Sequence, residues 1–174
     1  MSYIMVDIEA DGPIPHKYSM LSIGAVLVEP SLSKTFYAEL KPISNNYLQS
    51  ALDVCGFNRK QTLTFEDPLS VMERFRDWIR SVSKNKPMFV SDNNGFDWQF
   101  VNYYFHTFLE TNPFGYSSMN LGSFYKGLEL NTFVNFKHLR DKHHSHNALD
   151  DAIGNAEAML KLKNLYPQLK INFK

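Results

Sequence analysis

Apolar positions come in runs through the first forty residues, not at helical spacing. Tyr3 to Glu9, YIMVDIE, is an apolar run that ends on two acids. Met20 to Glu29, MLSIGAVLVE, is largely apolar, and Thr35 to Leu40, TFYAEL, alternates. Both patterns predict strands. Pro30-Ser31-Leu32-Ser33 supplies a hairpin connection, so these three strands are expected to be antiparallel.

The period then changes. Residues 48–57 predict a short helix. Asp67-Pro68 offers an N-cap followed by a first-turn proline. Val71, Met72, Phe75, Trp78 and Ile79 follow at helical spacing, to about Ser83. Met88 to Ser91 is a short apolar strand, succeeded by DNNG and a helix from about Asp97 to Leu109. A last helix is expected to begin at Asp150-Asp151, one of which would cap it, and to stop before Pro167. Strands first and strand–helix units later predict a mixed α/β sheet covered by helices.

Composition narrows the class. The 174 residues are 44% hydrophobic and 21% charged, which suits one compact domain over residues 1–174 and argues against disorder. Lys plus Arg equals Asp plus Glu at 18 each, so no global field marks a nucleic-acid or membrane partner. Cys55 is the lone cysteine, which excludes an internal disulfide and a multi-cysteine zinc site. Its apolar neighbours suggest a small buried filler. Without a signal-peptide pattern or a membrane-spanning apolar run, a cytoplasmic protein is expected.

Three stretches carry chemistry. Asp7 and Glu9 lie at i and i+2 of a strand and therefore on one face, where they repel unless a cation lies between them. The bland alternative ends the strand at Val6 and leaves both acids in solvent. SDNNGFDWQF, residues 91–100, leads from a strand into a helix, with Asp92 and Asp97 as competing ligands. Asp97 could equally serve the helix dipole. HHSHNALDDA, residues 143–152, sets His146 five residues before Asp151. Histidine is the usual general base near neutral pH. His143, His144 and His146 raise zinc as an alternative, but no two are four residues apart. Carboxylates without cysteine suit magnesium or manganese. Two such ions can hold both the attacking and leaving oxygens of a phosphodiester displacement.

With these residues in view, the sequence resembles the DEDDh 3′–5′ exonucleases, the group that includes polymerase proofreading domains, RNase T and oligoribonuclease. DIEADG is similar to that family's Asp-x-Glu-x-x-Gly motif, NNGFDWQF to Asn-x-x-Phe-Asp, and HNALDDA to His-x-x-x-x-Asp, in the family's order. The resemblance implies a ribonuclease H-like fold: a mixed five-stranded sheet, its first three strands antiparallel, flanked by helices. It implies that Asp7, Glu9, Asp97 and Asp151 bind two Mg2+ or Mn2+ ions and that His146 is the general base. It selects Asp97 over Asp92 and Asp151 over Asp150. Main-chain groups of Ile8, Ala10 and Asp11, with Asn93 and Phe96, would meet the terminal nucleotide. Ala10-Asp11 departs from the threonine or serine common after the glutamate. Asp11 is thus an extra acid beside the site.

The expected reaction is hydrolysis at the 3′ end of single-stranded RNA or DNA, releasing nucleoside 5′-monophosphates. RNA is favoured because the chain is a lone small domain. The resemblance is also compatible with a homodimer. A catalytically inactive binding module on the same fold is the alternative. Of the aromatics, Phe100, Tyr104 and Phe108 read as core, and a few others as stacking platforms for bases. Lys137, His138, Arg140 and Lys142 form a basic stretch before His146, either a solvated face or a set of phosphate contacts.

Overall fold

The computed structural model describes residues 1–141 and 145–173. The strands are β1 (Ser2–Ala10), β2 (Met20–Leu27), β3 (Thr35–Glu39), β4 (Pro87–Ser91) and β5 (Ser118–Asn120). The helices are α1 (Gln49–Cys55), α2 (Arg59–Thr62), α3 (Pro68–Val82), α4 (Asn94–Leu109), α5 (Leu121–Leu128) and α6 (Ala148–Leu165), with a 3-10 turn at Lys137–Leu139. The strand order is β3-β2-β1-β4-β5. β1 pairs antiparallel with β2 and β2 with β3, while β4 runs parallel to β1 and β5 parallel to β4. This is the mixed five-stranded sheet with an antiparallel beginning that the sequence led us to expect.

Alternation along β1 divides the core. Ile4, Val6 and Ile8 face one side, where Phe75 and Ile79 of α3 and Phe100, Val101 and Tyr104 of α4 cover them. Met5 faces the other, under Ala152, Ala156 and Met159 of α6 and Leu121 of α5. Asp7 and Glu9 share Met5's face by strand period. The Tyr104 hydroxyl accepts a hydrogen bond from the Met20 N–H at 2.9 Å, so α4 is pinned to the start of β2.

Several boundaries differ from expectation. α4 begins at Asn94, three residues before Asp97. α6 begins at Ala148, and its cap is Asn147, not Asp150 or Asp151. The Asn147 side chain accepts from the N–H groups of both Leu149 and Asp150, which satisfies two otherwise unpaired donors. β5, α5 and α2 had no clear pattern in the sequence: the first has three residues and the last four. Asp67 does cap α3, accepting from the Ser70 N–H at 3.1 Å. Among the described residues, no helix is long and apolar enough to cross a membrane.

Candidate active site

The parallel pair β1/β4 brings the ends of both strands to one edge of the sheet, the usual place for a site in an α/β fold. β1 contributes Asp7 and Glu9. β4 leads through Ser91 and Asp92 into α4, which carries Asp97. The start of α6 supplies Asp151 from the facing layer.

Carboxylate oxygens of Asp7, Glu9 and Asp151 all lie within 4.8 Å of one another. Asp97 joins from the side. Its Oδ1 accepts from the Ile8 N–H at 3.3 Å, while its Oδ2 is buried with no hydrogen-bond partner among the described residues. A buried oxygen without a partner is costly, and a cation is the partner such an atom suits. An open cleft of about 250 Å3 is lined by Asp7, Glu9, Asp97, Phe96, Lys137 and His146. Ile8, Asp92 and Asn93 lie on the same cleft.

Electrostatics agree with a cation-binding site. Burial, then the charges of Asp97, Glu9 and Asp151, hold the Asp7 carboxyl well above the usual carboxylate range, against the opposing pull of Arg140. Burial and the Asp151 charge raise Glu9 to about 7. Burial, with Asp92 and Glu9 adding to it, raises Asp97 to about 7. Carboxylates crowded in this way are driven toward the protonated form unless positive charge enters. With no cysteine in the cluster, the donor set fits Mg2+ or Mn2+.

Asp151 is the most heavily held of the acids. Its Oδ1 accepts from Arg140 Nη2 at 2.6 Å and from the Ser145 N–H at 3.1 Å. Its Oδ2 accepts from the His146 N–H at 2.9 Å. His146 is itself exposed, at φ 56°, a left-handed backbone that few side chains favour. The carboxylate therefore ties down the turn that presents the imidazole.

Asp11 was expected to meet the terminal nucleotide through its main chain. It is fully buried and turned into an ion pair with Arg59 at 2.9 Å, and its Oδ1 accepts from the Ser19 N–H at 2.6 Å. Its main-chain N–H goes to Ser19 O and its carbonyl accepts from Leu48. Both main-chain groups are thus hydrogen-bonded within the protein. The extra acid braces the end of β1. Ile8's N–H is likewise engaged, by Asp97.

Other residues emerge only in three dimensions. Cys55 is half-buried and donates to Glu9 Oε2 at 3.2 Å. Burial and the Glu9 charge push its thiol up, which agrees with an unreactive cysteine. Arg140 belongs to no phosphate-facing stretch: its side chain is only 4% exposed and is paired with Asp151. Lys137, by contrast, lines the cleft. Lys142, His143 and His144 lie outside the described residues, so the three-histidine zinc alternative rests on positions that are not described. Phe100 and Tyr104 are buried as expected, while Tyr116 is 96% exposed.

The fold has clear relatives among solved structures. The nuclease domain of 3′hExo, a DEDDh family member bound to rAMP, matches with a TM-score of 0.79 and 18% identity over 98% of this chain and 95% of that one. Exonuclease I of E. coli, in a complex with single-stranded DNA, matches with a TM-score of 0.73 and 18% identity over 96% of this chain and 41% of that one. At 18% identity these likenesses are of fold, with the acidic cluster at the ends of β1 and β4 as the site that fold positions. The chain belongs to the Rv2179c-like 3′–5′ exoribonuclease domain family, whose model matches residues 2–162. A curated relative, the 3′–5′ DNA exonuclease Cap18 of Escherichia coli, is 46% identical over 130 residues, 72% of this chain and 68% of its own length.

Proposed function

We propose that residues 1–174 form one exonuclease domain that removes nucleotides from the 3′ end of single-stranded nucleic acid as nucleoside 5′-monophosphates. The observation that carries this is the convergence of Asp7, Glu9 and Asp151, with Asp97 on the same cleft. Bound by Asp7, Glu9, Asp97 and Asp151, two Mg2+ or Mn2+ ions would offset the carboxylate charge and polarise the scissile phosphate.

The protein's own groups account for the rest. His146, on the cleft rim, takes the proton of the attacking water. The water oxygen bonds to phosphorus, the bond from phosphorus to the 3′ oxygen of the penultimate nucleotide breaks, and that oxygen leaves with the bonding pair and takes a proton from solvent water to become a hydroxyl. Asn93 and Phe96 border the cleft, and Lys137 meets a phosphate. A neighbouring apolar pocket of about 350 Å3 is lined by Ala10, Leu48, Ala51, Val54 and Cys55, and shares Glu9 and Phe96 with the cleft. Its apolar lining suits the flat face of a terminal base.

The pocket's lining suits bases of either sugar. The family description names an exoribonuclease and the curated relative a DNA exonuclease. We propose activity on both single strands. Side-by-side digestion of labelled RNA, single-stranded DNA and their duplexes, with Mg2+, Mn2+ or chelator, is the test. Single strands should shorten from the 3′ end, and chelator should stop the reaction. Asp7→Ala should stay folded and lose turnover. Undiminished turnover in that variant would overturn the reading.

A further inference from the structure

Arg140 is an expensive residue to place where it is. It is almost wholly enclosed, and its Nε is buried with no hydrogen-bond partner among the described residues. Its place is set by two things. Nη2 meets Asp151 Oδ1 at 2.6 Å, and the guanidinium lies against Gly154. A β-carbon at position 154 would lie 2.7 Å from Nε and 2.9 Å from Nη2. Residue 154 is inside α6, where glycine is less favourable than alanine, so helix propensity does not account for it. The missing side chain is the slot in which the guanidinium lies.

We propose that Arg140 is a positioning residue for the reaction, and this rests on the function proposed above. It acts through Asp151. The carboxylate is gripped on Oδ1 by Arg140 and the Ser145 N–H, and on Oδ2 by the His146 N–H. Fixing the guanidinium fixes the carboxylate plane, and the carboxylate fixes the turn at Ser145 and His146. One arginine thereby sets a proposed metal ligand and the proposed base relative to each other. Losing such an orienting partner of a metal ligand typically costs about 10- to 100-fold in metal affinity or activity. Gly154 is the second component of the device, because only an empty position there leaves room for the guanidinium.

The test uses Arg140→Met, Arg140→Lys and Gly154→Ala, assayed on a labelled single strand at saturating Mn2+. Mn2+ binding is followed independently by electron paramagnetic resonance. Arg140→Met should lose about 10- to 100-fold in kcat, the range for lost orienting partners, with KM and Mn2+ binding little changed. Arg140→Lys should recover part of the loss. Gly154→Ala should fall as Arg140→Met does although the arginine is intact and the helix is the better former. A scaffold role alone would not produce that pattern. Wild-type kcat in Arg140→Met, full activity in Gly154→Ala, or loss of Mn2+ binding in both would overturn the inference. A wild-type protein without exonuclease activity would instead overturn the function on which it rests.

Discussion

The first turn of α6 rests on Gly24: a β-carbon there would lie 2.2 Å from the carbonyl carbon of Ala148. Gly24 is also the residue directly across from Asp7 in the β1/β2 pair. The glycine thus opens the gap through which α6 brings Asp151 down to Asp7. Gly24→Ala must push backbone, not a flexible side chain. Overpacking of this kind typically costs about 1–3 kcal/mol. Displacing a reacting group by about 1 Å can cost roughly 100-fold in rate. We expect a folded variant with activity reduced by about that factor, read from thermal unfolding and strand digestion together. Full activity would mean that α6 can shift without disturbing the site.

The raised carboxyls give the metal-free protein an inverted pH response. Asp7, Glu9 and Asp97 hold protons in the folded state at pH values where the unfolded chain, with ordinary carboxylates near 4, has released them. The folded state therefore binds more protons between about pH 4 and pH 7, and stability falls as pH rises through that window. In chelator, the melting temperature should be higher at pH 5 than at pH 8. Added Mg2+ should raise the pH 8 value most, because it binds the ionised form. A higher melting temperature at pH 8 in chelator would contradict the electrostatics described.

Asp11 and Arg59 form a pair whose removal should destabilise the protein. Arg59 also donates to Ser44 O at 2.5 Å and stacks over the Tyr47 ring at 5.1 Å. Arg59→Met leaves Asp11 buried without its cation. Breaking a buried pair from one side costs about 3–5 kcal/mol. A double variant, Asp11→Asn with Arg59→Met, should recover part of that loss. Urea midpoints of Arg59→Met, Asp11→Asn and the double variant measure this directly, and additive losses would show that the two residues act independently.

Lys137 should contribute to substrate affinity through charge. Neutralising one phosphate contact reduces the slope of log affinity against log salt by about 0.7 on a single strand. Lys137→Met should show that reduction in kcat/KM, with kcat at saturation largely kept. An unchanged slope would remove Lys137 from the phosphate path.

The sequence by itself determined a great deal. The acids on β1 were legible because strand period alone puts Asp7 and Glu9 on one face. The antiparallel start was legible because apolar runs and a Pro-Ser connection need no distant partner. The short β5 and α2 were not, since elements of three or four residues carry too little periodicity to read. Asp11 was legible as an anomaly only. Its partner Arg59 is 48 positions away, and an ion pair at that separation leaves no local pattern. Cys55 against Glu9, 46 positions apart, is the same case. Arg140 read as part of a basic run, because a sequence shows charge but not burial. The tertiary structure decided which way that side chain turns. Gly24 and Gly154 drew no notice in the sequence, and packing alone gives them meaning: each leaves a space that another element fills. Local pattern thus supplied the chemical groups, and long-range packing supplied their alignment.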